Sequence, residues 1–182
     1  MMQQFDTARL VMRPLRAEDE TLYLECYTDP LLMKHIGDPL KPETALRSFK
    51  AALKINAANP PRRYMWTVVE KTSCTPIGLL SLVCEITANA ETSVELGHFM
   101  LRQYQNKGYT LDAINKLIDV VFTNTEFAAF IVNHDRDNHA VTRVVKKLGF
   151  LSNPENSGTA LKFRWILSRS HWQELRGTAS PI

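Results

Sequence analysis

The chain has 182 residues, of which 45% are hydrophobic and 23% charged, a balance that is typical of one globular domain and excludes a disordered or fibrous protein. Its 22 lysines and arginines against 19 aspartates and glutamates leave a net charge of +3, and the basic residues form no stripe, which argues against a nucleic-acid partner. No apolar run approaches the roughly 18 residues of a membrane span, and the first residues lack a secretory pattern, so we expect a cytoplasmic protein with no membrane partner.

The first part of the chain predicts a strand followed by helices. Residues 10–13 are β-rich and are closed by Pro14. Residues 17–20 open a helix, and the acids at 18–20 suit its positive N-terminal end. Asp29-Pro30 interrupts that helix. A second helix is predicted to start at residues 41–44 and to stop at residues 59–61.

The middle of the chain predicts an antiparallel meander of three strands. Residues 64–69, 77–86 and 94–101 are β-rich, and the segments 71–76 and 87–92 between them are turn-like. A long helix is predicted next, because six apolar residues fall on one face: Leu111, Ile114, Leu117, Ile118, Val121 and Phe122.

The last part of the chain predicts a strand, a helix and a further strand. An apolar run covers residues 127–132, helical spacing follows from Val141 to Leu148, and Gly149 is placed to end that helix. A strand is predicted at residues 161–167. The order of elements indicates a mixed α/β fold, and without a repeat or linker we expect one domain over residues 1–182.

Cysteines and histidines give no sign of a metal centre. Cys26, Cys74 and Cys84 are odd in number and lack C-x-x-C spacing, so we predict neither a disulfide framework nor a zinc site and expect buried thiols in a reducing compartment. The five histidines are scattered: His35, His98, His134, His139 and His171. We predict no metal.

The junction at residues 94–110 is the most informative part of the sequence. A strand, a polar loop with one glycine and a helix start follow each other there, and such an arrangement gathers unpaired backbone N–H groups that bind an anion. A plain turn into a helix explains the same residues. No P-loop or G-x-G-x-x-G pattern is present, which argues against nucleotide hydrolysis and dinucleotide redox chemistry.

Four motifs in a fixed order carry a resemblance to a known family. Residues 7–15 (T-A-R-L-V-M-R-P-L) resemble T-x-R-L-x-L-R-x-L, and residues 95–99 (E-L-G-H-F) resemble E-L/I-G-Y-W. Residues 105–110 (Q-N-K-G-Y-T) resemble Q/R-x-x-G-x-G/A, and residues 138–150 resemble N-x-A-S-x-R-V-L-E-K-L-G-F. Together they resemble the GNAT acyl-CoA N-acyltransferases, most closely the branch that includes the acetyltransferases of ribosomal-protein N-termini.

This resemblance implies a fold and a reaction. The fold is a central, mostly antiparallel twisted sheet of about six to seven strands with helices on both faces. The reaction moves an acetyl group from acetyl-CoA, as cosubstrate, to a primary amine, either a protein N-terminal α-amine or a small-molecule amine, by direct attack in a ternary complex. The implied protein is a monomer or homodimer. A non-catalytic or regulatory acyl-CoA-binding protein that retains the fold is the alternative.

The resemblance also implies the residues that hold coenzyme A. Backbone groups of Phe99, Met100 and Leu101 would pair with the pantetheine arm. The pyrophosphate would lie on the loop, formed by Gln105, Asn106, Lys107, Gly108, Tyr109 and Thr110. Asn138 either bonds the arm or only caps a helix, and Arg143 with Lys146 either reaches phosphate or only faces solvent.

The sequence departs from the family pattern at four positions. Thr110 stands in place of the final Gly or Ala of the loop, and Asn106 replaces the more usual glycine before Lys107. Val141 replaces a common serine. Val145 stands where many members carry the tyrosine that protonates the leaving thiolate, so no acid is assigned there.

Two residues of the E-L-G-H-F strand are candidates for the catalytic base. Glu95 is the first, acting through water, because an acid in an apolar strand is costly unless it is used or paired; an exposed or ion-paired glutamate is the alternative. His98 is the second, with a structural role as its alternative. The acceptor site is expected around residues 31–54 and 151–160.

Overall fold

The computed structural model describes residues 4–58, 63–86, 92–153 and 162–177. These residues form one sheet of eight strands, with helices on both faces. The strands are β1 Phe5–Asp6, β2 Leu10–Pro14, β3 Arg63–Glu70, β4 Thr75–Ile86, β5 Thr92–Met100, β6 Ala129–Asp135, β7 Leu151–Ser152 and β8 Lys162–Ser168. The helices are α1 Glu20–Thr28, α2 Pro30–Met33, α3 Pro42–Ala57, α4 Tyr109–Asn124, α5 His139–Lys147 and α6 Arg169–Gly177.

The predicted fold class is confirmed, and the strand number is slightly higher than the six to seven expected. The spatial order is β1-β2-β3-β4-β5-β6-β8-β7, and every neighbouring pair is antiparallel except β5 with β6. The meander of β3, β4 and β5 is present as predicted. β5 and β6 run parallel because the whole of α4 lies between them in the chain, as a parallel connection requires.

Four elements were not predicted: β1, β7, α2 and α6. Two of them are strands of two residues each, too short for a sequence pattern. The turn at 87–91, the predicted stop at 59–61 and Leu161 lie outside the described residues.

Two apolar layers hold the sheet to its helices. One lies between the sheet and α4 and α5, and includes Leu96, Met100, Ile114, Leu117 and Val145. The other lies between the opposite face and α1 to α3. β5 supplies both layers, because alternate side chains of a strand point to opposite faces.

A buried carboxylate joins the first helical turn to the sheet. Asp19 accepts hydrogen bonds from Arg13 (2.8 Å from each of Nη1 and Nη2), from Thr67 Oγ1 (2.7 Å) and from the Arg16 N–H (2.8 Å). Burial alone would raise the pKa of Asp19, but the hydrogen bonds from Arg13, Thr67 and Arg16 outweigh it and hold that pKa below its usual value. Asp19 therefore holds the first helical turn to the sheet through Arg13 and Thr67, in addition to its predicted position at a helix start.

The cysteines are all free, and the prediction that they are buried is only partly right. Cys26 is buried and Cys84 is partly buried, but Cys74 is exposed because it lies in the tight turn between β3 and β4, with φ of 55°. No helix in the described part of the chain combines the length and apolar character needed to cross a membrane.

Candidate active site

A cleft opens where the parallel strands β5 and β6 separate. Their register ends after three pairs, Ser93↔Ala129, Val94↔Phe130 and Glu95↔Ile131. Beyond these pairs β5 continues to Met100 and β6 to Asp135. The cleft between them has a volume of about 1030 Å³.

The cleft passes through the sheet, so it is open to both layers of helices. Tyr27, Leu31 and His35 line it from the side of α1 and α2, while Tyr109 and Val141 line it from the side of α4 and α5. We call the side of α4 and α5, with the loop before α4, the amide end. We call the side of α1 and α2, which contains Glu95, the carboxylate end.

The amide end is rich in backbone N–H groups. None of the six N–H groups from Asn106 to Leu111 donates to a carbonyl within the described residues, and the first such bond of α4 runs from the Asp112 N–H to the Gly108 carbonyl (3.1 Å). Free N–H groups at the positive end of a helix bind anions. The cluster of free backbone N–H groups inferred from the sequence is therefore present in the structure, and anion binding by it stays a prediction.

Two residues of the loop adopt left-handed backbone conformations. Gly108 has φ of 81° and caps α4, and Asn106 has φ of 59°. Glycine adopts such angles freely, and asparagine tolerates them better than most residues. The departure from the family pattern at Asn106 is thus compatible with the backbone that the loop needs.

The predicted basic residues separate into two groups. Arg143 lines the cleft together with Lys147, whereas the Lys146 ammonium lies over the Trp165 ring, 5.9 Å from its centre, and takes no part in the lining. Asn138 caps α5, because its Oδ1 accepts from the Val141 N–H (3.2 Å). Capping uses the side-chain oxygen, which leaves the amide nitrogen available as a donor toward the cleft.

The end of β5 shows which backbone groups face the cleft. The Leu101 N–H donates to the Ile77 carbonyl (2.9 Å), toward β4, and the Leu101 side chain is buried in the layer of α1 to α3. The Met100 carbonyl faces the other way and accepts from Gln105 Nε2 (2.9 Å). Phe99 and Met100 line the cleft, but Leu101 does not. Backbone groups alternate in direction along a strand, so those of Phe99, which pairs with Leu79, also face β4. Of the three residues expected to pair with a ligand, only Met100 turns its backbone groups toward the cleft.

Glu95 occupies the point where the two strands separate. It is partly buried, and its Oε1 accepts from Asn133 Nδ2 of β6 (3.0 Å). Asn133 Oδ1 in turn lies 3.5 Å from Arg164 Nη1 of β8. Glu95 is therefore partly exposed, a neutral amide holds its carboxylate, and no ion pair of Glu95 is found within the described residues; its role as the base stays a prediction.

Space beside Glu95 is kept open by a glycine. Gly97 follows it on the same face of β5, and a Cβ at that position would lie only 2.7 Å from Ser81 Oγ. A larger residue at position 97 would therefore have to displace Ser81 and would narrow the carboxylate end.

His98 lies on the opposite face of β5 from Glu95. Burial lowers the pKa of His98 from its ordinary value of 6.5 to about 4. The imidazole is therefore neutral near pH 7 and is a weak base.

One contact crosses the mouth of the carboxylate end. His35 follows α2, and its Nδ1 lies 3.4 Å from Asp137 Oδ1, in the loop after β6, and 3.9 Å from Asp135 Oδ2, at the end of β6. The segment after α2 thus contacts the end of β6 on the other side of the cleft, and this segment lies within the region where the acceptor site was expected. Residues 154–160 of the second expected acceptor region lie outside the described residues.

Most of the predicted site residues meet in this one cleft. The lining includes Glu95, His98, Phe99, Met100, Gln105, Asn106, Gly108, Tyr109, Thr110, Asn138 and Arg143. Lys107 is adjacent but points elsewhere, with its ammonium over the Tyr104 ring (5.3 Å). Asn133 was not predicted, because its partner Glu95 is 38 residues away in the sequence.

Comparison with known proteins agrees with this geometry. Residues 9–151 match the family model described as "Acetyltransferase (GNAT) domain". A search of curated protein sequences finds no significant match.

Solved structures of the same fold cover nearly the whole chain. RimL, a ribosomal L7/L12 α-N-protein acetyltransferase in complex with coenzyme A, has a TM-score of 0.78 at 12% identity, over 93% of this chain and 99% of that one. The ribosomal-protein-S5-alanine acetyltransferase of Vibrio fischeri has a TM-score of 0.74 at 16% identity, over 94% and 99%. The spermidine N-acetyltransferase of Vibrio cholerae, in complex with coenzyme A and spermine, has a TM-score of 0.75 at 18% identity, over 92% and 99%.

The family model spans well over half of the chain. The cleft lies where β5 and β6 separate, and it has free backbone N–H groups at the start of α4, as the motifs led us to expect. The chain therefore belongs to the GNAT acetyltransferase family and is an acetyl-CoA-dependent N-acetyltransferase.

Proposed function

We propose that this protein acetylates a protein N-terminal α-amine or a small primary amine, with acetyl-CoA at the amide end and the acceptor at the carboxylate end of the cleft. The observation that carries the proposal is the passage of one cleft through the sheet between β5 and β6, with free N–H groups on one side and Glu95 on the other. Both substrates can therefore occupy the cleft together.

Acetyl-CoA binding uses the backbone more than side chains. The pyrophosphate contacts the N–H groups from Asn106 to Thr110, and Arg143 adds a positive charge. The pantetheine arm follows the open edge of β5 near Phe99 and Met100, and the Asn138 amide donates to it. A backbone N–H of this edge polarises the thioester carbonyl, as pre-positioned donors do for a developing oxyanion.

The acceptor amine reaches the thioester from the side of Glu95. The Glu95 carboxylate removes a proton from the substrate ammonium through a water molecule, and the neutral amine attacks the carbonyl carbon. The tetrahedral intermediate then releases the coenzyme A thiolate, and the acylated nitrogen gives up its remaining extra proton to solvent. Because a thiol of this kind has a pKa of about 8.5, the thiolate leaves without a dedicated acid, in agreement with the apolar Val141 and Val145 on α5.

One chain holds both ends of the cleft, so a monomer or a homodimer can carry out the reaction, and nucleic acid has no part in it. The acceptor classes follow from the similar structures, which include enzymes for protein N-termini and for a polyamine. The cytoplasmic location inferred from the sequence remains a prediction.

The test is a thiol-release assay with acetyl-CoA over peptides, polyamines, amino acids and aminoglycosides. We expect turnover with at least one peptide or small amine, together with acetylated product by mass spectrometry. Binding of acetyl-CoA without turnover of any amine would instead support the non-catalytic alternative.

A further inference from the structure

Arg9, the first arginine of the T-A-R-L-V-M-R-P-L motif, makes four contacts next to the loop at the amide end, on the side away from the cleft. Its Nη1 donates to the Lys107 carbonyl (2.9 Å), and its Nε and Nη2 lie 2.8 and 2.7 Å from Asp112 Oδ2. Its guanidinium also lies over the Tyr109 ring, 4.7 Å from the centre. Arg9 is about half exposed and does not line the cleft.

The contact with the Lys107 carbonyl fixes the direction of an N–H group. The Lys107–Gly108 peptide is planar and trans, so its carbonyl and its N–H point in opposite directions. Because Arg9 holds the carbonyl on one side, the Gly108 N–H points to the other side, away from Arg9. Gly108 itself lines the cleft.

The peptide needs such support because it precedes a glycine. Gly108 has a φ of 81°, and because glycine populates positive and negative φ about equally, the peptide before it is open to alternative orientations. A charged donor on the Lys107 carbonyl stabilises one of them, and hydrogen bonds that involve a charged group are stronger than neutral ones.

The contact with Asp112 removes an unfavourable charge. Asp112 lies in the first turn of α4, where its negative charge would repel a bound pyrophosphate. The Arg9 guanidinium pairs with this carboxylate through two nitrogens and so preserves the positive potential of the helix end.

We propose that Arg9 is a positioning residue for acetyl-CoA: it orients the Lys107–Gly108 peptide so that the Gly108 N–H meets the pyrophosphate, and it neutralises Asp112. This inference rests on the proposed location of the coenzyme at the amide end. It gives a role to an arginine that lies 98 residues before the loop in the sequence.

The experiment measures the Kd of acetyl-CoA by calorimetry, together with steady-state KM and kcat. Arg9→Ala should raise Kd and the KM for acetyl-CoA by about 10- to 50-fold while kcat stays within about twofold. Arg9→Lys should fall between the wild type and Arg9→Ala, because an ammonium replaces the charge but cannot reach both partners in the same geometry.

Lys71→Ala is the matched control. Lys71 tethers the same N-terminal segment through Asp6 Oδ2 and the Thr7 carbonyl (2.6 Å each) but does not touch the loop. Its Kd for acetyl-CoA should equal that of the wild type. A rise in Kd as large as that of Arg9→Ala would mean that general loosening of the N-terminus is responsible, and would overturn the proposal.

A double-mutant cycle with Asp112→Asn separates the two effects of Arg9. Asp112→Asn alone should change Kd by less than about threefold, but in the Arg9→Ala background it should restore part of the lost affinity, because the unpaired carboxylate is gone. An Arg9→Ala protein that binds acetyl-CoA as tightly as the wild type overturns this inference alone. A wild type that binds no acetyl-CoA overturns the proposed coenzyme site itself.

Discussion

The two ends of the cleft are built from different parts of the chain. The amide end is formed largely by consecutive residues, in which the loop at 105–110 runs directly into α4. The carboxylate end is assembled from residues far apart in the sequence, such as Tyr27, His35, Glu95 and Asn133. One end is a local structure, while the other exists only once the sheet is complete.

In the proposed mechanism, this difference separates acetyl-CoA binding at the amide end from proton removal at the carboxylate end. Free backbone N–H groups accept any suitable anion and need only the correct backbone angles. Proton removal at the carboxylate end needs a side chain held at a defined place by a neighbouring strand. Changes at the amide end should therefore alter acetyl-CoA affinity, whereas changes at the carboxylate end should alter kcat.

The largest effect is expected for Gly108→Val. A branched side chain is strongly disfavoured at φ of 81°, and its Cβ would lie 3.1 Å from Arg9 Nη2. Acetyl-CoA at 100 times the wild-type Kd should raise the free energy of unfolding of the wild type by about 2.7 kcal/mol and that of the variant not at all, as measured by denaturation with and without ligand. Gly177→Val, at a site with open space, is the control. Equal stabilisation of Gly108→Val and wild type would contradict the role of the loop.

Glu95→Gln should lower kcat by about 100-fold, because it removes the base while keeping the shape. The Kd for acetyl-CoA should stay within about twofold, since Glu95 belongs to the carboxylate end. Glu70→Gln, on β3 in the exposed turn with Ser73, is the control and should retain full activity. Full kcat of Glu95→Gln across pH 6–9 would show that another group removes the proton.

Asn133→Ala should lower kcat by about tenfold, because the Glu95 carboxylate loses the donor that holds it in place. Acetyl-CoA affinity should again be unchanged. Asn124→Ala serves for comparison; this residue lies at the end of α4, where its side chain bonds the Val120 carbonyl and no other described residue. If kcat of Asn133→Ala stays within twofold of the wild type, the amide does not position the base.

His98→Asn should have the smallest effect on activity, with kcat within about threefold between pH 6 and 9, because the native imidazole is already neutral there. The substitution should instead change how the free energy of unfolding depends on pH. Burial lowers the folded-state pKa of His98 to about 4 from 6.5, so between these values the unfolded chain binds a proton that the folded chain does not. The free energy of unfolding should therefore decrease as pH falls from about 6.5 to 4, by at most about 1.4 kcal/mol per pH unit.

Urea denaturation of wild type and His98→Asn over pH 4 to 7 gives the free energy of unfolding of each protein at each pH. The difference between the slopes of these two free energies against pH is the contribution of His98. Identical slopes would mean that His98 is not buried in the neutral form.

The sequence allowed prediction of the elements whose stability comes from apolar packing. α4 presents six buried apolar residues on one face, and its periodicity is plain. α6 was missed because polar contacts attach it: Trp172 Nε1 and Arg176 both donate to Asp119 of α4 (2.9 and 2.7 Å). A pattern of hydrophobic residues contains no information about such bonds.

The site was predictable to the extent that it is local. The loop at 105–110 and the capping Asn138 lie in continuous motifs, and the structure brings them together. The backbone pairing assigned to Phe99, Met100 and Leu101 fits only Met100, because alternate backbone groups face the cleft and those of Phe99 and Leu101 face β4. Arg9 and Asn133 act on partners 98 and 38 residues away, and such pairs have no local pattern.

Because the β5–β6 pairing stops after Glu95 and Ile131, the sheet has two unpaired strand edges inside the molecule. Unpaired strand edges are normally confined to the rim of a sheet, where they attract further strands. Here residues 96–100 and 132–135 face each other across the cleft without pairing. Their cleft-facing amides should exchange hydrogen with solvent faster than those of the neighbouring β3–β4 ladder, and a bound pantetheine arm should slow this exchange, because the coenzyme then takes the place of the missing strand.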